Sequence, residues 1–139
     1  MKPIRSSARW RTVAAAAALQ LAAGTAMAMT EAEAATNLMH FAFAMKGAEQ
    51  CDKLGYPSMA AQKRWEKAHA AVLVNSLKRI EQHAAASGKV TPDQAKDVAL
   101  GLFVRFKDRY DEEMAPTVTG KSCMRFNETL SFYGTRLVD

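Results

Sequence analysis

Residues Pro57–Gly88 read PSMAAQKRWEKAHAAVLVNSLKRIEQHAAASG, and this stretch decides the fold class. Trp65, Ala68, Val72, Leu73, Ser76, Leu77, Ile80 and Ala84 recur at helical spacing and share one face. Lys63, Arg64, Glu66, Lys67, Lys78, Arg79 and Glu81 fall away from that face. Ser58 is placed to cap the start, and Ser87-Gly88 to close the end with glycine in the left-handed region. The spacing predicts one amphipathic helix of about 28 residues, about 42 Å long at 1.5 Å per residue. Such a stripe needs other helices to cover it, so the domain is expected to be all-helical.

Outward from this stretch, the same signals recur. Upstream, Thr30-Glu31-Ala32-Glu33 is a capping box: the Thr30 hydroxyl accepts from the Glu33 backbone and the Glu33 carboxylate reaches back. Acidic groups in a first turn also suit the helix dipole. Leu38, Phe41, Ala44, Met45, Ala48 and Cys51 form the apolar face of this helix, and Gly55 with Pro57 ends it. Downstream, Thr91-Pro92-Asp93-Gln94 combines a capping box with proline at the first helical position, and Val90 can pack on Ala95. The third helix carries Ala95, Val98, Ala99, Leu102, Phe103 and Phe106, with Tyr110 at its edge, and stops before Pro116. Cys123, Phe126, Leu130, Tyr133 and Leu137 stripe a last helix, with Gly134 small enough for close approach. These elements, at about 31–54, 58–86, 92–114 and 121–138, predict an up-down-up-down four-helix bundle with short loops. Met39, Phe43 and Phe132 lie off the stripes and are candidates for an exposed partner surface.

The two cysteines test that topology. Cys51 falls in the last turn of the first helix and Cys123 in the first turn of the last, both on apolar stripes. In an up-down-up-down bundle these places meet, so a structural disulfide between Cys51 and Cys123 is expected. A redox-active pair would call for close spacing such as C-x-x-C, which is absent.

The first residues have the three parts of a secretory signal peptide: the basic Lys2, Arg5, Arg9 and Arg11, an apolar run from Val13 to Ala23, and a small-x-small end at Ala26 and Ala28. Cleavage is expected after Ala28, leaving residues 29–139 as one helical domain with no stable membrane anchor. An even cysteine count then fits an oxidising compartment, the periplasm or the exterior of a bacterium. Export also changes the charge reading. The whole chain has 19 Lys and Arg against 14 Asp and Glu, a net of +5; without the four basic groups of the leader it is 15 against 14, a net of +1. A nearly neutral mature chain lacks the concentrated basic surface that nucleic acid requires.

No residue set points to catalysis. Gly-x-Ser-x-Gly, a phosphate loop, an acidic calcium loop and C-x-x-C-H are all absent. A di-iron bundle needs two Glu-x-x-His pairs, and only Glu66-Lys67-Ala68-His69 occurs. Of the three histidines, His69 and His83 are about four turns apart on one helix, so only His40 with His69 remains as a weak metal candidate. Met45, Met59, Met114 and Met124 fall in the cysteine-bearing half of the bundle, where thioethers can bind copper(I) or form an adaptable apolar surface. Asp111, Glu112 and Glu113 form an acidic patch that could dock a basic partner. The expectation is a non-enzymatic exported protein without a cofactor, monomeric or homodimeric, that binds another envelope protein or a small apolar ligand. One alternative is a periplasmic stress chaperone: the chain is similar to the acid-activated ones in size, export signal and single cysteine pair, with no shared motif. The other is a metal or small-ligand binder using its His and Met residues.

Overall fold

The computed structural model describes residues 28–139; the proposed leader, residues 1–28, lies outside them except for Ala28. The described chain is all-helical. Helix α1 spans Glu31–Lys53, α2 Met59–Ala68, α3 Ala70–Ala86, α4 Pro92–Arg109, α5 Gly120–Met124 and α6 Phe126–Arg136. A π-helical turn, Tyr110–Met114, and a 3-10 turn, Ala115–Thr117, join α4 to α5. No helix among the described residues is long and apolar enough to cross a membrane.

The organising element is α1, not the stretch from Pro57. It packs against α2, α3, α4 and α6 and both connecting turns. Its buried residues include Ala34, Asn37, Leu38, Phe41, Ala42, Phe43, Ala44, Gly47, Ala48 and Cys51, which go around the helix rather than along one stripe. Phe43, expected off the core, is buried against Tyr110 with ring centroids 5.4 Å apart. Phe132 is half exposed, under the Arg136 guanidinium at 4.4 Å. Both threonine capping boxes form: Thr30 with Glu33 and Thr91 with Gln94. Ser58 does not cap. Its hydroxyl donates to the Tyr56 carbonyl, and Asp52 Oδ1 accepts from its backbone N–H at 2.6 Å.

The predicted long helix is two. At His69 the backbone leaves helical geometry, with φ −110° and ψ 16°. The ladder is bent rather than cut: His69 N–H donates to the Trp65 carbonyl at 3.1 Å, and its own carbonyl accepts from Leu73 N–H at 3.2 Å. The Trp65 and His69 rings stack 5.0 Å apart at the bend, above Gly134. A Cβ on Gly134 would lie 3.2 Å from a nitrogen of each ring, so a larger residue would have to push the rings back by a few tenths of an ångström. The bend lets one arm serve two neighbours: α2 packs on α1 and α6, α3 on α1 and α4. The last predicted helix is also divided, at Arg125, whose φ of −103° and ψ of 19° separate α5 from α6.

Helix α6 runs antiparallel to α1 and is fastened at both ends. At one end is the disulfide Cys51–Cys123, closing a sequence separation of 72 residues, worth about 4 kcal/mol on the disputed chain-entropy argument. At the other, the fully buried Asn37 holds the segment after α6. Its Nδ2 donates to the Val138 carbonyl at 2.7 Å and its Oδ1 accepts from the Val138 N–H at 2.9 Å. The same Nδ2 donates to Ser76 Oγ on α3 at 3.0 Å. Three buried clusters follow α1: Ala34, Leu38, Ile80 and Ala99 with Met29 near its start, Ala42, Phe43 and Tyr110 in the middle, and Ala48, Cys51, Cys123, Phe126 and Leu130 with Ala44 near its end. Each fully buried Leu or Phe here stabilises by about 2 kcal/mol.

The fully buried Asn37 ties α1, α3 and the segment after α6 together. Asn37→Ala is expected to lower unfolding stability by about 3 kcal/mol, from several buried hydrogen bonds lost at once. Denaturant melts read the total, and amide exchange at Val138 should accelerate more than exchange in α4. Unchanged protection at Val138 would show that the clamp is not what holds this segment.

Candidate functional site

Concave surfaces lie beside His40 and Arg136, beside Met29 and Asp139, and, two of them, at the disulfide end of the domain. The connection after α4 creates the first of those two. A π turn carries one extra residue per hydrogen-bonded ring, which re-aims side chains without ending the helix. Here Tyr110 turns inward, while Asp111 reaches Lys46 at 3.1 Å. Lys46 also pairs with Glu49 at 3.0 Å, and these two carboxylate contacts, Glu49 foremost, raise its pKa. The 3-10 turn and Val118 then return the chain across α1 toward Cys123.

Beneath this roof is a cavity of about 170 Å³ whose walls include Gly47, Cys51, Tyr110, Met114, Phe126 and Tyr133. Gly47 is its floor. A Cβ there would stand 3.3 Å from Tyr110 Oη and 3.3 Å from Phe126 Cε2, so the missing side chain is what lets both rings cross α1. Tyr110 is 4% exposed. Burial, followed by the neighbouring Tyr133 and Asp111, pushes its phenol up to about 12, and burial raises Tyr133 as well. Both hydroxyls therefore stay protonated at neutral pH and can donate. A second, more open groove of about 330 Å³ lies along Tyr56, Pro57, Arg64, Cys123, Met124 and Asn127.

The methionines singled out in the sequence divide among these features. Met114 lines the cavity, Met124 stands 69% exposed in the groove, and Met59 packs against the disulfide cluster. Met45 is half-buried on α1. Of the acidic patch, Asp111 is engaged by Lys46 and Glu113 by Arg109 at 2.9 Å, while Glu112 is exposed. His40 and His69 approach consecutive residues of α6 but face different rings: His40 lies 5.4 Å from the Tyr133 centroid, and His69 stacks on Trp65. No group of three or more His, Cys, Asp or Glu is placed to hold a metal ion among the described residues. Tyr110, Tyr133 and Gly47 were read as core or passed over. A signal was present: both tyrosines occupy stripe positions, and a buried tyrosine brings a hydroxyl that needs a partner.

His40 is 6% exposed, and its Nδ1, like Trp65 Nε1, is buried with no hydrogen-bond partner among the described residues. Burial, and then the Arg136 guanidinium, lower its pKa below 6.5. The unfolded chain therefore takes up a proton more readily than the folded one. The stability this confers is complete above pH 6.5 and is lost as pH falls below it. Denaturant midpoints should drop between pH 6.5 and 5, and His40→Gln should flatten the drop. An equal drop in both proteins would show that His40 does not change protonation on unfolding.

Compared with protein-family models, with curated proteins and with solved structures, the chain has no significant match in any of the three, so its function has to be argued from these residues.

Proposed function

We propose that this chain is an exported, non-enzymatic binding protein of the bacterial envelope, cleaved after Ala28 and working in the periplasm or outside the cell. The carrying observation is the kind of concave surface at its disulfide end. The smaller cavity has aromatic, thioether and hydroxyl walls and no charged side chain. Ligand sites are largely apolar with a few placed polar groups, whereas acid–base or nucleophilic catalysis needs activated groups within reach of one another. Leu100 at 55% and Val104 at 50% exposure on α4 add apolar surface for a protein partner or a second copy. The four-helix, up-down-up-down arrangement belongs to the same reading. What supports it is the antiparallel run of α6 on α1 and the shared packing of α1, α3 and α4, with α2–α3 and α5–α6 each counted as one bent arm.

A stress chaperone is the second reading, and the buried, partnerless His40 favours it. Acid would charge this imidazole beside Arg136 and loosen α6, uncovering the apolar faces of α1. Suppressed aggregation of a client below pH 5, lost in His40→Gln, distinguishes it from constitutive binding.

The main reading predicts the native mass of the protein purified from its own periplasm without reductant or chelator. The chain should begin at Met29, weigh two hydrogens less than its reduced form, and either carry extra mass that denaturation removes or crosslink to an envelope protein. A bare chain with no crosslinked envelope partner would overturn binding as its function.

A further inference from the structure

The cavity under the π turn has a more specific chemistry than apolar burial. Tyr110 is more than nine-tenths buried, yet its hydroxyl donates to no described residue and is not sealed off: it opens into the cavity. The hydroxyls of the half-buried Tyr133 and Thr129 also lack partners among the described residues and line the same space. By contrast, the Thr117 and Ser122 hydroxyls at the rim are spent on the Met114 and Thr119 carbonyls, at 2.7 and 2.8 Å. None of the three is sealed from solvent, so water or a guest can accept from them, and uncommitted hydroxyls around one cavity favour a guest that accepts hydrogen bonds over a purely apolar one.

The remaining walls narrow what that is. They hold no Asp, Glu, Lys, Arg or His, so nothing there would neutralise an ion removed from water. The apolar wall is mostly aromatic and sulfur, from Phe126, Tyr110, Tyr133, Met114 and Cys51, with Val118 as its aliphatic member. Rings meet rings edge-to-face or offset, and sulfur sits well at a ring edge, so these walls suit an aromatic guest over an aliphatic one. The size agrees. A cavity of about 150 Å³ accommodates benzene, and this one measures about 170 Å³, leaving room for one substituent.

We infer that this cavity is a binding site for a small, uncharged, single-ring aromatic molecule bearing a hydroxyl or carbonyl oxygen, held by the hydroxyls of Tyr110, Tyr133 and Thr129. The inference rests on the binding-protein reading and supplies its ligand class. The ring would lie between Phe126 and Met114, with its oxygen toward Tyr110. Phenol and benzaldehyde have this chemistry; benzoate, with its charge, and cyclohexanol, without the ring, do not.

The test is a nuclear magnetic resonance titration of the oxidised mature protein with phenol, following the Met114 methyl and the Gly47 and Thr129 amides. Saturable shifts at these three positions are expected, with benzoate and cyclohexanol at least tenfold weaker. Tyr110→Phe should weaken phenol binding about fivefold, the effect of one hydrogen bond, while leaving the ring stack in place. Thr129→Leu should abolish binding by filling the space, and it stands as the test if Tyr110→Phe does not fold; thermal melts report folding of both. Shifts that do not saturate, equal affinity for benzoate, or saturable shifts at Met124 instead would overturn the assignment, and a cavity filled only by water would give the first of these. If phenol fails while the native protein still retains another mass or an envelope crosslink, the ligand class is wrong and the binding reading survives. A bare native protein that nevertheless binds phenol through Tyr110 has the opposite meaning: the site stands and the envelope partner does not.

Discussion

Helix α1 is buried around most of its circumference, and the rest of the chain is arranged around that constraint. A helix covered by so many neighbours must let them in close, and α1 does so with Ala34, Ala42, Ala44, Gly47 and Ala48. Its bulky buried residues cluster at mid-helix: Leu38 and Phe41 are fully buried, and Phe43 meets Tyr110. Small residues along a helix bring other backbones near but contribute little apolar area of their own. The neighbours add comparable apolar burial through Ile80, Phe126 and Leu130. Ile80 comes from α3 and both Phe126 and Leu130 from α6, so two neighbours supply large side chains around α1.

Two covers were needed for one axis, and the bend at His69 supplies both from a single arm. Before the bend α2 shares α1 with α6; after it α3 shares α1 with α4. The disulfide and the Asn37 clamp perform the corresponding task for α6, holding a short helix along the axis from both ends rather than by area alone. One is covalent and depends on the oxidation state of the surroundings. The other is a side-chain amide pairing both backbone groups of Val138, as a neighbouring strand would.

The sequence was most readable where the causes are local. Thr30, Thr91 and Pro92 are read three residues at a time, and the helices start where those caps say. The disulfide was readable because topology follows from helix order and loop length. The bend was not, because its causes are tertiary: nothing around His69 announces that Trp65 will stack on it over a glycine 65 residues further on. The Ser58 cap was readable but overridden, since Asp52 took the N–H and Tyr56 the hydroxyl. Thr119 with Ser122 caps α5 in the same reciprocal way, and serine in place of Glu or Gln concealed the box. The encirclement of α1 was half visible. Its stripe stood out, but alanine on the other faces is as common on a wet helix as on a buried one. The cavity has no local signature at all, because a π turn differs from an α turn by one hydrogen-bond step that no residue type dictates.

The long reach of the Asn37 clamp also sets an order of events. A polypeptide is made and threaded from its N-terminal side, so α1 appears before any of the helices that will enclose it. Asn37 must wait for a partner 101 residues later, and Cys51 for one 72 residues later. Until α3 and α4 follow, the alanine-rich α1 with Leu38, Phe41 and Phe43 has little native to pack against, and the side that α6 covers stays open longest. High sequence separation between contacting residues slows folding for the same reason, since the intervening chain has to be gathered first. The nascent chain thus resembles a spindle wound late: the axis is laid down at the outset, and the thread that fastens it arrives last. Whatever escorts this chain during its synthesis would find its client in α1.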